Sequence, residues 1–146
     1  MARPTKEILA RDTYLNLVRA HERLSADFAD LFRAAGLTAA QYNVLRILYG
    51  GPKEGAACQY IGERLLNRLP DVTRLLDRME TAKLITRGRA AEDRRVVLVR
   101  LTPEGVKRCK SLERPVMELH ARQFEELPMR TLAELNAGLE SVLNMS

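Results

Sequence analysis

The chain has 146 residues, enough for one domain with a modest core of its own. Apolar residues make up 46 % of it and charged residues 29 %, which excludes a disordered tail, and no apolar run approaches the roughly 20 residues that span a bilayer. The net charge is +5 and there are only two cysteines, too few for a disulfide framework, so the composition favours a cytoplasmic protein with no membrane partner and hints at an anionic one.

The positive charge is concentrated in the middle of the chain. Residues 61–100 contain ten Lys or Arg against six Asp or Glu, whereas the flanking segments are close to balanced. This distribution is typical of a central module that meets phosphate, although a mixed, solvated surface with chance clustering is the alternative on charge alone.

The first predicted element is a long amphipathic helix over about residues 6–34. Apolar side chains recur at helical spacing from Tyr14 to Phe32, and His21 lies within this stripe. Gly36 favours the end of the helix, because glycine readily takes the left-handed conformation of a C-terminal cap.

Two shorter helices are predicted next. Thr38 followed by Gln41 is typical of a capping box, and the helix that it opens ends at Gly50-Gly51-Pro52. A third helix is predicted over about residues 56–66. Gly62 inside it indicates the close approach of a neighbouring helix, since alanine is otherwise preferred there.

A fourth helix is predicted to run from Pro70, as its first helical residue, to about Ala82, with Asp71 in its first turn. At helical spacing its apolar side chains fall on one face, namely Val72, Leu75, Leu76 and Met79. The opposite face carries Pro70, Thr73, Arg74 and Asp77, with Arg78 at its margin.

After the fourth helix, the pattern of apolar residues changes from that of a helix to that of the two strands of a β-hairpin. Residues 84–87 and 96–101 are β-rich, and between them lies a polar, basic tip over residues 88–95 that includes Arg89, Asp93, Arg94 and Arg95. Two helices joined by a short turn, with a basic hairpin after the second, predict a winged helix-turn-helix that binds double-stranded DNA.

Each part of this motif suggests a contact. Thr73 and Arg74 suit base edges in the major groove, while Asp77 would accept from cytosine or hold Arg74 or Arg78 in place. An arginine on a projecting loop suits the narrow minor groove, which favours Arg94 and Arg95 there. Asp93 would repel DNA, so we expect it to pair with an arginine and fix the wing.

Two more helices follow the hairpin. Thr102-Pro103-Glu104 is typical of a helix start, and Pro128 is expected to open the last helix. Both helices, like the first, carry apolar stripes that a single small core cannot cover. A two-fold dimer would cover them, and packing on their own domain is the alternative.

The predicted fold class is therefore mainly α with a small β-hairpin wing. Residues 1–146 form one domain, with a winged-helix core over about 36–101. The helices at about 6–34 and 102–146 form the dimerisation region.

Several runs of this sequence resemble the MarR family of transcription regulators. Leu37–Leu45 is similar to the start of that family's second helix, and Val72–Glu80 with Leu84–Arg87 is similar to its recognition helix and exit. Asp93-Arg94-Arg95 matches the wing signature, and Leu101–Gly105 matches the junction after it. The resemblance covers essentially the whole chain.

The resemblance implies a homodimer on a near-palindromic operator, most often a repressor. It implies that a small effector, frequently aromatic or anionic, or oxidation relaxes DNA binding by changing the spacing of the two reading heads. On matching positions, Arg94 would be the minor-groove arginine with Asp93 orienting it, and Gln41 and Tyr42 would be weaker phosphate contacts.

Three alternatives remain open. The chain has only His21 and His120, no catalytic set, no metal-spaced cluster and no phosphate loop, so neither an enzyme nor a metal or cofactor is expected. A winged-helix adaptor that binds protein is a second alternative. A thiol-based regulator is a third, but Cys58 and Cys109 lie on apolar stripes, which favours inert thiols.

Overall fold

The computed structural model describes residues 4–145. This part of the chain forms six helices and three short strands. In chain order they are α1 (Lys6–Ala34), α2 (Ala39–Tyr49), β1 (Ala56–Ala57), α3 (Cys58–Arg64), α4 (Val72–Thr81), β2 (Ile85–Arg89), β3 (Val97–Leu101), α5 (Pro103–Gln123) and α6 (Met129–Leu143). The winged helix-turn-helix and the mainly α fold class are confirmed.

The long first helix ends as its sequence predicts. Gly36 has φ +71°, and its amide donates to the carbonyl of Arg33 at 2.9 Å. The amide of Leu37 donates to the carbonyl of Phe32, also at 2.9 Å, and both of these side chains are buried. The two bonds and the apolar contact form a Schellman motif, which turns the chain sharply into α2.

The start of α2 is the predicted capping box. The Thr38 hydroxyl accepts from the amide of Gln41 at 3.1 Å, and the Gln41 side-chain oxygen accepts from the amide of Thr38 at 2.9 Å. The prediction for the next helix was too long at both ends. Ala56 and Ala57 form β1, and α3 ends at Arg64.

The sheet has three strands rather than the two of the predicted hairpin. Its order is β1-β3-β2, and both pairings are antiparallel. Val99 pairs with Ala56 on one side and with Arg87 on the other. The extra strand arises because the chain before α3 runs along the free edge of β3. The strand β2 also extends further than predicted, so that Arg89 lies in the strand rather than in the tip.

The core lies between the end of α1, the helices α2 to α4, the sheet and the first half of α5. The side chains with under 2 % exposure are Val44, Leu45, Ile61, Leu76, Met79, Ile85, Val99 and Cys109. The terminal helices contribute little to it, since no residue of α6 is buried and only Phe32 of α1 is.

The last two helices begin as predicted. Thr102 caps α5 by accepting from the amide of Gly105 at 3.0 Å, Pro103 is its first residue, and Pro128 is the residue before α6. In residues 4–145, no helix combines the length and apolar character needed to cross a membrane.

Candidate nucleic-acid interface

The helix α4 begins two residues later than its sequence predicts, at Val72 instead of Pro70. Asp71 has non-helical dihedral angles, φ −141° and ψ 81°, and its carboxylate accepts from the amide of Arg74 at 2.9 Å. Asp71 is therefore the N-cap, and Pro70 lies outside the helix, which corrects the prediction that Pro70 is its first residue. The capped end presents Thr73 and Arg74 in the first turn, both exposed.

The faces of α4 are those that its apolar spacing predicts. Leu76 and Met79 are buried, and Val72 and Leu75 are half-buried against the core. The opposite face is exposed and consists of Thr73, Arg74, Asp77 and Arg78. A ten-residue helix with one buried and one polar, exposed face has the shape that a major groove admits.

The turn before α4 is held by a residue that sequence analysis missed. The side-chain oxygen of Asn43, on α2, accepts from the amide of Leu66 at 2.9 Å, which ties the turn to the core. Gly62 of α3 faces α4, but a Cβ atom there would make only an ordinary contact at 3.6 Å from the Val72 side chain, so the predicted close approach that excludes alanine is wrong. Arg68 is exposed on the same turn and was also missed.

Asp77 has a different partner from the one its sequence suggested. Its carboxylate pairs with the guanidinium of Arg87, on β2, and not with Arg74 or Arg78. The same nitrogen of Arg87 lies 3.1 Å from Oε1 of Glu80, and the Arg87 amide donates to Oε2 of Glu80 at 3.0 Å. The hydrogen bonds to Glu80 and Asp77 raise the pKa of Arg87 above its usual value.

The three carboxylates on and next to α4 are thus all engaged by groups of the protein itself. Asp71 caps the helix, while Asp77 and Glu80 hold Arg87. Arg74 and Arg78 have no acidic partner within 4.0 Å among residues 4–145. The exposed face of the helix therefore offers its positive charges outward.

The wing tip is fixed by bonds to the backbone. The guanidinium of Arg89 donates to the carbonyl oxygen of Arg94 at 2.7 Å. The Asp93 carboxylate accepts from the amide of Arg95 at 2.9 Å, so its partner is a backbone group and the expected pairing with an arginine side chain is wrong. Arg94 and Arg95 are exposed and, within the described part of the chain, have no acidic partner.

The two weaker candidates on α2, Tyr42 and Gln41, differ in exposure. Tyr42 is buried with its ring 4.6 Å from that of Phe32, and burial raises the pKa of its hydroxyl. A buried, stacked tyrosine is a core residue, so the expectation of a phosphate contact at Tyr42 is wrong. Gln41 is half-exposed and uses its side-chain oxygen in the capping box, which leaves its NH₂ group for another acceptor.

The cysteines and histidines do not form a site. Cys109 is buried, and this burial raises the pKa of its thiol, as an inert thiol requires. Cys58 is exposed at the start of α3, so the expectation that it packs on an apolar stripe is wrong, and His21 is exposed on α1. Residues 4–145 contain no cluster of three or more His, Cys, Asp or Glu that could hold a metal ion.

Comparisons with known proteins agree with this architecture. The MarR family model matches residues 35–96, from the end of α1 to the end of the wing tip. A MarR transcription factor from Planctomyces limnophilus has a similar crystal structure, with 38 % identity and a TM-score of 0.70 over 96 % of this chain and 98 % of that one.

Two further proteins are similar over most of their length. The transcriptional regulator FarR of Neisseria gonorrhoeae is 29 % identical over 138 residues, which cover 89 % of this chain and 92 % of FarR. MepR of S. aureus, whose structure was solved as a complex with DNA, is 26 % identical with a TM-score of 0.78, over 90 % of this chain and 95 % of MepR.

Proposed function

Because the chain belongs to the MarR family of transcription regulators, we propose that it binds duplex DNA as a homodimer and regulates transcription from the site that it occupies. Each protomer places α4 in a major groove and the tip of its wing in the flanking minor groove. Family membership also sets aside the enzymatic alternative, since the family consists of transcription regulators.

The observation that carries this proposal is the set of exposed arginines on one module. Arg74 and Arg78 project from the polar face of α4, and Arg94 and Arg95 project from the wing tip. Four of the acids beside them, Asp71, Asp77, Glu80 and Asp93, already have partners within the protein, and Glu92 is exposed on the wing tip. Phosphate therefore meets a surface on which the arginines outnumber the free acid, and guanidinium groups reach both base edges and the minor groove.

The candidate residues have two kinds of role. Some contact bases or phosphates, and others hold the elements that make those contacts. We assign base-edge contact in the major groove to Thr73 and Arg74, and phosphate contact to Arg78 and Arg68. Arg94 enters the minor groove. Pro70, Arg89, Asp93 and Arg95 shape or flank these elements, and the NH₂ group of Gln41 at the start of α2 is a further phosphate contact.

The apolar surface of the terminal helices supports the homodimer. Large apolar side chains that are more than a third exposed cluster on the first half of α1 and on α6, among them Ile8, Leu9, Tyr14, Val18, Leu135, Val142 and Leu143. An open groove of about 1070 Å³ is lined by residues of α1, of the end of α5 and of the loop after it, and by Leu135 of α6. A second copy would cover this surface, and residues 6–34 and 102–146 then form the dimerisation region around the core of residues 36–101.

Two-fold symmetry in the protein calls for a near-palindromic operator. We propose repression, relieved when a small aromatic or anionic effector changes the spacing of the two recognition helices. The joint between α4 and α5 would transmit that change, because the Thr102 amide donates to the Leu84 carbonyl at 3.1 Å and the Thr102 hydroxyl to the Lys83 carbonyl at 2.7 Å. We propose that it acts in the cytoplasm, where such a regulator meets chromosomal DNA.

Titration of a fluorescent duplex from upstream of the protein's own gene tests this proposal. We expect two chains per duplex, with a slope of log K against log salt of about −3.5 or steeper, because Arg68 and Arg78 of the two protomers together neutralise about four phosphates. Binding that ignores salt, or failure on every duplex tested, would favour the alternative of a protein-binding adaptor.

A further inference from the structure

Arg87 lies on the inner face of the wing, where it meets the recognition helix. Its guanidinium contacts Asp77 and Glu80, which are one turn apart on α4, and its amide donates to Glu80 as well. Three hydrogen bonds from one residue therefore join β2 to α4. The Arg87 side chain is 25 % exposed, so that these bonds are shielded more than those of a fully exposed ion pair.

The same strand also holds the wing tip. Residues two apart on a strand project from the same face, and Arg89 follows Arg87 at this spacing. Arg89 donates to the carbonyl of Arg94 in the tip. A continuous path of contacts thus runs from α4 through β2 to the arginine of the tip.

We propose that Arg87 is a positioning residue that sets the distance and angle between the recognition helix and the wing tip, and that Asp77 serves this contact instead of reading a base. This inference rests on the proposed function, since it concerns how two DNA-reading elements are held. Arg87 also has an electrostatic effect. Without it, the carboxylates of Asp77 and Glu80 would cancel the charges of Arg74 and Arg78.

The direction in which Asp77→Asn changes DNA affinity distinguishes a positioning role from that of a simple surface charge. If Asp77 is only a surface charge, Asp77→Asn should tighten binding to every duplex, because it removes a negative charge beside DNA. A positioning role predicts the opposite for the operator, because Arg87 loses one of its two carboxylate partners on α4 and keeps only Glu80. Operator affinity should then fall relative to the affinity for an unrelated duplex.

The experiment is a double-mutant cycle on DNA binding with Arg87→Gln, Asp77→Asn and the double variant. For each we measure the ratio of operator affinity to the affinity for an unrelated duplex, and the midpoint of thermal unfolding. We expect each single variant to lower the ratio about tenfold and the double variant to lower it no further, since residues that act as one unit are not additive. Glu54→Gln removes one negative charge, as Asp77→Asn does, but on the exposed loop before β1, so it should leave the ratio unchanged.

Arg87→Lys supplies a rescue test. Lysine keeps the charge but not the planar fork, so it should restore the ratio only in part, whereas a purely electrostatic role predicts full restoration. The ratio is compared at a temperature where every variant is folded, so loss of stability alone would leave it unchanged.

Four results would overturn the inference. They are an unchanged ratio in Arg87→Gln, full restoration of the ratio in Arg87→Lys, losses that multiply in the double variant, and an altered preference at a single base pair in Asp77→Asn alone. If the unmodified protein binds no duplex, the proposed function fails, and the inference fails with it. Duplex binding by the unmodified protein together with any of the four results overturns the inference only.

Discussion

The backbone carbonyl of Leu84 lies against Gly105 so closely that a Cβ atom on Gly105 would overlap it. Leu84 follows the end of α4, and Gly105 is in the first turn of α5. The hydrogen bonds from Thr102 to Lys83 and Leu84 close the same joint. The recognition helix is thus attached directly to the start of a helix of the proposed dimerisation region.

Gly105→Ala should destabilise the protein by about 2 to 3 kcal/mol, because the overlap is with backbone that cannot move aside without disturbing both helices. Chemical denaturation measures the change. Gly62→Ala is the matched control, since its Cβ would meet only an ordinary contact at 3.6 Å and alanine favours the helix, which predicts stabilisation by up to about 1 kcal/mol. Equal effects of the two substitutions would refute a close approach at Gly105.

Arg94→Ala should weaken operator binding several-fold or more, because it removes the guanidinium proposed for the minor groove. The dimer should remain intact, since Arg94 lies on the wing tip. Fluorescence anisotropy and sedimentation measure the two quantities. Lys53→Ala removes the same charge from the exposed loop before β1 and serves as the control. Unchanged affinity of Arg94→Ala at physiological salt would remove Arg94 from the interface.

Arg74→Ala should reduce discrimination between operators more than it reduces binding to unrelated duplexes. The reason is that a side chain in the first turn of α4, with no acidic partner among residues 4–145, can reach base edges. Competition binding with a series of single-base-pair variants of the operator gives the discrimination. Equal losses on all duplexes would make Arg74 a phosphate contact.

The stability of the protein should fall as the pH rises above about 9. Burial raises the pKa of the Cys109 thiol from its ordinary value of 9.0, and burial also raises the pKa of Tyr42. Over that range the unfolded chain loses protons that the folded chain keeps, so stability present below pH 9 is lost as the pH increases.

Thermal unfolding between pH 8 and pH 10.5 measures this loss. Cys109→Ala removes one of the two groups and should flatten the dependence, although it lowers stability at every pH because it leaves a cavity. Cys58→Ala removes the other, exposed thiol and serves as the control. A dependence that is the same in all three proteins would show that Cys109 titrates alike in the folded and unfolded chains.

The sequence predicted those features that depend on neighbours along the chain. The capping box of Thr38 and Gln41, the C-terminal cap at Gly36 and the buried face of α4 follow from local spacing, and the structure confirms them. Apolar spacing and turn signals also predicted the order of the elements apart from β1.

Features that depend on tertiary contact were missed. The strand β1 is two alanines, which have no preference for strands, and it forms only because β3 has a free edge beside it. Arg87 and Asp77 are ten residues apart on different elements, so no local pattern joins them. The expectation that Asp93 pairs with an arginine side chain rests on the attraction of opposite charges. Short acidic side chains often accept hydrogen bonds from nearby backbone amides instead, as Asp93 does here.

A hydroxyl-radical footprint on the operator tests the central claim most directly. If two copies of α4 read one duplex, each flanked by a wing, the protected segments should come in two symmetric halves whose centres lie about one helical turn, or roughly 10 base pairs, apart. A single protected segment with one chain bound, or protection that persists unchanged when Arg74 and Arg94 are both replaced by alanine, would contradict it.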